Sequence, residues 1–254
     1  MDYFFLKTLN YSDKGNFKKK LRTLIERYRV LHLRGIPKGV DYISFYTDIV
    51  DSIGKVVNVG EDSATGNLTN ERWTDVRYIK EMSETFRHSN TRQPLHTDAA
   101  YTSIRFDINF FFCMENAEIG GATTFIDGVY LLSVTRKFEP ALFTELTNTD
   151  VLFQKGNGDV KVKKIIDLSG SKYELNWNGF RLAEENTREV KALCKNFQDF
   201  LEEKIVAGGL LTPIYLQPGE CLFFQDDKVL HGRNSFYGER YLIKGAFDLK
   251  AYEI

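Results

Sequence analysis

A short His-x-Asp motif and one distant histidine place the strongest constraint on how this chain can fold. His96 and Asp98 are separated by a single residue, and His231 opens a His-Gly-Arg segment far along the chain. Two imidazoles and one carboxylate form the facial ligand set of non-haem Fe(II) centres, and they leave three adjacent coordination positions open. The pattern therefore predicts a fold that brings a close pair of ligands and a distant third ligand to one metal ion.

The surroundings of the two motifs favour this interpretation over a chance match. On a strand, residues two apart point to the same face, so His96 and Asp98 could reach one ion. The alternative for this pair is a capped turn with a surface aspartate. His231 follows a Pro-Gly turn at 218–219 and an apolar run at 221–225, so we expect it at the end of a buried strand. Together, the two motifs make the metal site the stronger prediction.

Arg240 begins the predicted final strand, 240–250. Lys244 follows four residues later, so the two side chains point to the same face of that strand. An arginine that points into a protein interior must have an anionic partner, because an unpaired buried charge is costly. The planar guanidinium can bind a carboxylate with two parallel hydrogen bonds. A dicarboxylate such as 2-oxoglutarate would chelate iron at one end and bind Arg240 at the other. The alternative for either residue is a solvent-facing ion pair.

Composition limits the class of protein. With 254 residues the chain predicts one domain, 1–254, and its net charge of -1 predicts no binding to nucleic acid or to an anionic membrane. The three cysteines show no metal-ligand or disulfide spacing, which favours a reducing cytoplasm. The segment that begins Met-Asp-Tyr lacks the pattern of a secretory leader, and no apolar run could cross a bilayer. We therefore expect a cytoplasmic protein whose partner is a small molecule.

Hydrophobic periodicity predicts a mainly β chain with flanking helices. The polar, weakly periodic stretch 58–93 predicts a lid or substrate loop. The predicted helices are 17–28, 40–53, two short ones after 126, and 186–207, whose apolar stripe is typical of core packing. The predicted strands are 30–35, 103–114, 122–126, several within 150–178, 211–216, 221–225 and 240–250.

Several segments, taken in order along nearly the whole chain, resemble the taurine/2-oxoglutarate dioxygenase family (TauD/TfdA-like), which includes γ-butyrobetaine hydroxylase and carbapenem synthase. The matching segments are 30–35, 95–98, Gly-Gly-Ala-Thr-Thr-Phe-Ile-Asp-Gly at 120–128, the Pro-Gly-Glu turn at 218–220, 231–233 and Arg240. The resemblance implies a double-stranded β-helix, a distorted jelly roll of the cupin kind.

The resemblance also implies roles for individual residues. It assigns Fe(II) to His96, Asp98 and His231, and the far carboxylate of 2-oxoglutarate to Arg240 and Thr123. The spacing from His231 to Arg240 is shorter than in several relatives, so Arg233 and Lys244 stay alternative anchors. The implied reaction consumes O2 and 2-oxoglutarate, releases succinate and CO2, and hydroxylates an aliphatic C–H bond of a small polar substrate such as an amino acid. Desaturation, ring closure and epimerisation would use the same ligands.

Six further residues are candidates for substrate contacts. They are close to the metal motif in sequence, in the β-rich middle or in the lid: Gln93, Arg92, Tyr101, Asn178, Arg181 and His88. This mixture of polar and aromatic groups suits a small charged or zwitterionic molecule. Two alternative functions from other classes of protein stay open. One is a metal-dependent hydrolase with the same ligands, and the other is a non-catalytic cupin that binds a small carboxylate. Neither would consume O2 and 2-oxoglutarate.

Overall fold

The computed structural model describes residues 4–12, 15–62, 65, 67–69 and 71–250. The first three residues, which entered the prediction that no leader is present, and positions 63, 64, 66 and 70 of the predicted lid lie outside the described residues. None of the helices within the described ranges has the length and apolar character needed to span a membrane.

The elements agree in type and order with most of the sequence predictions. The α-helices are α1 Phe17–Arg27, α2 Tyr42–Ile53, α3 Gly128–Phe138, α4 Pro140–Asn148 and α5 Arg188–Phe200, which continues as a π-helical segment Leu201–Val206. The strands are β1 Phe4–Asn10, β2 Tyr28–Arg34, β3 Gly54–Val57, β4 Thr74–Arg77, β5 Gln93–His96, β6 Ile108–Glu115, β7 Ile119–Gly120, β8 Thr123–Asp127, β9 Asp150–Gln154, β10 Val160–Lys164, β11 Ile166–Asp167, β12 Glu174–Leu175, β13 Thr212–Ile214, β14 Cys221–Phe224, β15 Val229–Arg233, β16 Phe236–Tyr237 and β17 Tyr241–Leu249.

Two sheets pack face to face. The larger has the order β1-β2-β14-β6-β17-β3, with β4 paired to β17, and the smaller has the order β13-β8-β15-β5. A buried cluster contains side chains of both sheets, which are Phe111, Cys113, Leu222, Phe224 and Leu242 from the larger and Phe125, Ile214 and Val229 from the smaller. This sandwich confirms the predicted mainly β, jelly-roll architecture.

Helices cover the outer faces of both sheets. The sequence of β6 is almost continuously apolar because both of its faces are buried. Phe110 and Phe112 pack towards α1 and α2, whereas Phe111 and Cys113 face the smaller sheet. A separate cluster joins the smaller sheet, through residues such as Leu230, to the helices α3, α4 and α5. Both sheets are therefore covered on two sides, by each other and by helices.

Two predicted boundaries are wrong in a way that matters for the site, and the predicted start of the final strand is met to within one residue. The central strand begins at Ile108 rather than at residue 103, because Ile104 N–H donates to Thr102 Oγ1 in a turn before it. The polar corner before His231 forms a 3-10 turn, Asp226–Lys228, so His231 lies in the middle of β15 and not at its end. Arg240 directly precedes the final strand.

The Pro-Gly-Glu turn binds β2 through the side chain of Glu220. Glu220 accepts hydrogen bonds from His32 Nε2 and Arg34 Nε, both at 2.9 Å, and from Gln217 N–H at 3.1 Å. Burial alone would raise the pKa of Glu220, but the hydrogen bonds from Arg34, Gln217 and His32 outweigh it and lower the pKa. His32 is thus a paired core histidine, away from the metal motif.

We expect Glu220→Gln to lower the free energy of unfolding at neutral pH by about 2 kcal/mol, the contribution of hydrogen bonds to a charged group. Because the folded-state pKa is depressed, this stabilisation is complete above the unfolded pKa of about 4.3 and is lost as pH falls through the folded value. Urea unfolding at several pH values checks this. The exposed Glu203→Gln serves as control, and a difference that does not shrink in acid would contradict the assignment.

Candidate metal centre

The three predicted ligands lie together where the smaller sheet meets the opening of the sandwich. His96 ends β5 and faces His231 across the antiparallel β5–β15 pair, with ring centroids 4.3 Å apart. Asp98 Oδ1 lies 3.7 Å from His96 Nε2, and Asp98 Oδ2 lies 3.6 Å from His231 Nε2. One ligand atom from each residue falls within 4.8 Å of the others, a spacing that suits a single ion.

Asp98 reaches this position from a turn and not from a strand. Strand β5 ends at His96, and the chain then turns because Thr97 N–H donates to Trp177 O at 2.6 Å. The N–H groups of Asp98 and Ala99 both donate to the Asp226 carboxylate. The prediction that His96 and Asp98 share a strand face is therefore wrong, although the two side chains do meet.

Hydrogen bonds and burial leave both imidazoles ready to bind a metal through Nε2. His96 Nδ1 lies 2.9 Å from Pro94 O, and because a carbonyl can only accept, Nδ1 carries the proton. Gln93 Nε2 lies 3.2 Å from the other nitrogen, His96 Nε2. Burial, together with the neighbouring His96, holds the pKa of His231 well below its usual value. His231 is thus neutral, the form that coordinates metals.

Asp98 is ionised. Burial would raise the pKa of Asp98, but the positive charge of Lys244, together with the contacts to His231 and His96, lowers it well below its usual range. Lys244 Nζ lies 2.7 Å from Asp98 Oδ2, and Asn109 Nδ2 donates to the same oxygen. A buried carboxylate with two donors on one oxygen keeps its other oxygen for a further partner.

Arg240 is a buried cation that makes no ion pair with any described residue. Its Nε donates to Gly121 O at 3.1 Å, and burial, reinforced by the charge of Arg233, lowers its pKa to about 9. Gly121 has φ +73°, and a Cβ there would lie 3.1 Å from Arg240 Cδ, so only glycine fits beside the guanidinium. Thr123 lines the same cavity. An unpaired buried cation is costly, so an anion bound beside Arg240 would relieve that cost.

The two alternative anchors are already engaged. Arg233 donates to Phe86 O at 3.0 Å, Thr91 O at 2.8 Å and Ser89 Oγ at 3.2 Å, and so ties the loop 86–91 to β15. Lys244 is paired with Asp98. Arg233, Arg240 and Lys244 were proposed from the sequence as anchors for a carboxylate. Of these three, Arg240 is the one whose charged group is still available to a ligand.

A cavity of about 550 Å³ contains the triad, Arg240 and four of the six substrate candidates, Gln93, Tyr101, Asn178 and Arg181. The other two do not lie on its wall. The Arg92 side chain, 40% exposed, pairs with Glu202 at 2.7 Å. His88 is buried with Nδ1 3.1 Å from Arg77 O. Arg92 is close to the metal motif in sequence only. It lies just before β5, and its side chain points towards Glu202 of the π-helical segment.

The cavity wall also contains an acidic residue, Glu61, that the sequence patterns did not predict. Glu61 lies 3.5 Å from Lys155 Nζ and 3.4 Å from an Arg181 nitrogen, and the Arg181 guanidinium covers the ring of Tyr101 at 4.5 Å from its centroid. These residues come from the predicted lid, the β9–β10 turn and the turn 179–181. Nothing in the local sequence of Glu61 marks it, since its partners are far away along the chain.

The fold and the site define a jelly-roll protein with a two-histidine, one-carboxylate centre. The sequence model of the family described as "Taurine catabolism dioxygenase TauD, TfdA family" matches residues 3–246, and the chain belongs to that family. The predicted resemblance is confirmed.

Individual relatives are more distant. The trimethyllysine dioxygenase of Meyerozyma guilliermondii is 26% identical over 158 residues, which cover 57% of this chain and 39% of that protein. The chain therefore spans about two fifths of the length of the curated relatives it matches. PvcB of Pseudomonas aeruginosa superimposes with a TM-score of 0.69 and 15% identity, covering 97% of this chain and 86% of PvcB. Asparagine oxygenase, solved with Fe(II), 3-hydroxyasparagine and succinate, gives 0.62 and 14%, covering 93% and 85%.

Proposed function

We propose that this chain is an Fe(II)- and 2-oxoglutarate-dependent dioxygenase that hydroxylates an aliphatic C–H bond of a small, amino-acid-like substrate. One observation carries the proposal: the His96, Asp98 and His231 ligand set shares a cavity with a buried arginine that has no anionic partner among the described residues. A hydrolytic metal site would leave Arg240 without a role, whereas a dicarboxylate co-substrate requires both features.

The residues fit the metal that the family implies. Two neutral imidazoles and an ionised carboxylate supply the donors of a facial Fe(II) site and leave positions for a chelating co-substrate and dioxygen. Bound together, Fe(II) and 2-oxoglutarate supply oxidative decarboxylation to succinate and CO2 and the oxidation of a C–H bond. The protein would hold the far carboxylate of the co-substrate with Arg240 and Thr123, while Phe111 and Leu242 on the cavity wall exclude water.

The charged wall of the cavity supports a zwitterionic substrate. Glu61 and Arg181 lie on the cavity wall with opposite charges 3.4 Å apart, and Lys155 contacts Glu61 at 3.5 Å from outside the lining. An α-amino acid carries an ammonium and a carboxylate side by side, and so complements such a network. The names of the relatives agree with this class, since trimethyllysine and asparagine are amino acids.

The aromatic side chains of the cavity favour a primary ammonium over a quaternary one. Recognition of a quaternary ammonium uses open aromatic faces. Here Arg181 occupies one face of Tyr101, and Phe86 packs on Phe180 with ring centroids 4.5 Å apart while Phe180 stays 61% exposed to solvent, so these rings form no enclosed aromatic cage. We therefore expect this chain to differ from a trimethyllysine dioxygenase in the ammonium group that it accepts.

A substrate screen tests the proposal. Purified protein with Fe(II), 2-oxoglutarate and O2 is incubated with L-amino acids, with their N-trimethyl derivatives and with sulfonates, and succinate is measured. We expect L-amino acids to raise succinate release above the substrate-free rate, and the trimethyl compounds to do so at least about tenfold less, because a quaternary ammonium cannot donate a hydrogen bond to the Glu61 carboxylate, and a hydrogen bond to a charged group is worth about 1.5 to 3 kcal/mol. Absence of 2-oxoglutarate consumption with every compound, in protein that binds iron, would favour the hydrolase or the non-catalytic cupin.

A further inference from the structure

Asp226 lies between the two chain segments that carry the metal ligands and contacts both of them. Its Oδ1 accepts the Asp98 N–H at 3.0 Å and its Oδ2 accepts the Ala99 N–H at 2.9 Å. The same Oδ1 lies 3.5 Å from His231 Nδ1. The carboxylate is almost completely buried, at 2% exposure, so these groups are its immediate surroundings.

Only a carboxylate fits these neighbours. Each of its two oxygens accepts one backbone N–H of the turn 98–99, whereas an asparagine could accept only one and would direct its own N–H2 at the other donor. Burial of an acidic group costs free energy of folding. This cost indicates that the contacts of Asp226 do more than fill the core.

The third neighbour, His231, links Asp226 to the metal face. His231 Nδ1 is buried and has no hydrogen-bond partner within normal distance among the described residues. Asp226 Oδ1 is the carboxylate oxygen that lies 3.5 Å from this nitrogen. A proton on Nδ1 can be directed at this oxygen, and His231 Nε2, which faces Asp98, then presents its lone pair. Metal-binding histidines generally donate their second N–H in this way, and the acceptor fixes ring orientation and tautomer.

We infer that Asp226 is a positioning residue that joins the Asp98 turn to His231 and sets the metal affinity of the site. The inference rests on the metal centre of the proposed function and adds a residue to it. Asp226 holds the backbone of one ligand and the tautomer of another, so a single side chain orients ligands from two segments more than a hundred residues apart in sequence. Loss of such a partner usually lowers metal affinity about 10- to 100-fold.

The test compares Asp226→Asn with Asp227→Asn. The neighbouring Asp227 has a side chain 42% exposed and pairs with Lys228 at 2.5 Å, so its substitution makes the same chemical change next to the site without touching a ligand. Co(II) is titrated anaerobically into each protein and the dissociation constant is read from its visible absorption, with thermal unfolding recorded in parallel. We expect Asp226→Asn to weaken Co(II) binding about 10- to 100-fold and Asp227→Asn to leave it within about twofold.

Equal Co(II) affinities in the two folded variants would overturn the inference, as would a drop in melting temperature of Asp226→Asn without a change in affinity. If Asp226→Asn does not fold, nitrogen NMR of the wild-type histidines replaces it: a proton on Nδ1 of His231 supports the inference, and a proton on Nε2 overturns it. Both readouts need neither 2-oxoglutarate nor substrate. A weakened Co(II) site together with absent 2-oxoglutarate turnover would refute the proposed function alone, and a wild-type protein that binds no metal would refute both.

Discussion

Replacing Arg240 by methionine is expected to weaken 2-oxoglutarate binding about 100-fold or more while leaving the ligand-free protein at least as stable as the wild type. Truncating one partner of a buried, hydrogen-bonded charge pair costs about 2 to 5 kcal/mol. In the ligand-free protein, however, Arg240 has only the Gly121 carbonyl as a hydrogen-bond acceptor and no ion pair among the described residues. Removing an unpaired buried charge relieves a desolvation cost.

The measurement is anaerobic titration of 2-oxoglutarate into the Co(II)-loaded protein, together with urea unfolding of the ligand-free protein. Arg233→Met is the matched control, because this second buried arginine donates to Phe86 O, Ser89 Oγ and Thr91 O. We expect the control to lose stability, since three acceptors lose their donor. If Arg240→Met were as destabilised as the control and bound 2-oxoglutarate normally, Arg240 would be a structural residue. A large loss of affinity in Lys244→Met alone would move the anchor to Lys244.

Replacing His96 by alanine is expected to abolish the weak visible charge-transfer band that Fe(II) and 2-oxoglutarate produce together under anaerobic conditions. A ligand contributes more than the groups that orient it, so metal affinity should fall by more than about 100-fold. The fold should survive, because His96 lies at the end of β5, and its Nδ1 contact with Pro94 is local.

His88→Ala is the control for this experiment. His88 is also buried, yet it does not line the cavity and its Nδ1 faces Arg77 O. We expect His88→Ala to retain the band at the wild-type intensity. A band that persists in His96→Ala would remove His96 from the ligand set, and a band that disappears in both variants would point to loss of folding, which circular dichroism detects.

The candidate metal ligands and Arg240 could be singled out from the sequence because each belongs to a short motif with its own chemistry. His96, Asp98 and His231 are residue types that bind iron, and Arg240 lies four residues before Lys244 in a strand pattern that points both into the cavity. Apolar runs and periodicity predicted a mainly β chain, since strands such as β6 and β14 are buried on both faces, whereas the jelly-roll arrangement was implied by the family resemblance.

The residues that support the ligands could not be predicted in the same way. Asp226 was part of a polar corner, and its three contacts with Asp98, Ala99 and His231 depend on the pairing of β15 with β5. Glu61 meets Lys155 and Arg181 only after three distant segments have folded together. Local patterns identify groups that bind ligands, whereas the partners of those groups are fixed by tertiary contacts.

The division of the site between the two sheets has a consequence for the size of the co-substrate. His96 and His231 belong to the smaller sheet, while Arg240 directly precedes β17 of the larger one. Packed sheets lie about 10 Å apart, and in the proposed function an acid held at both ends would have to bridge the two sheets. The spacing of the sheets would then favour one length of diacid over its shorter and longer homologues.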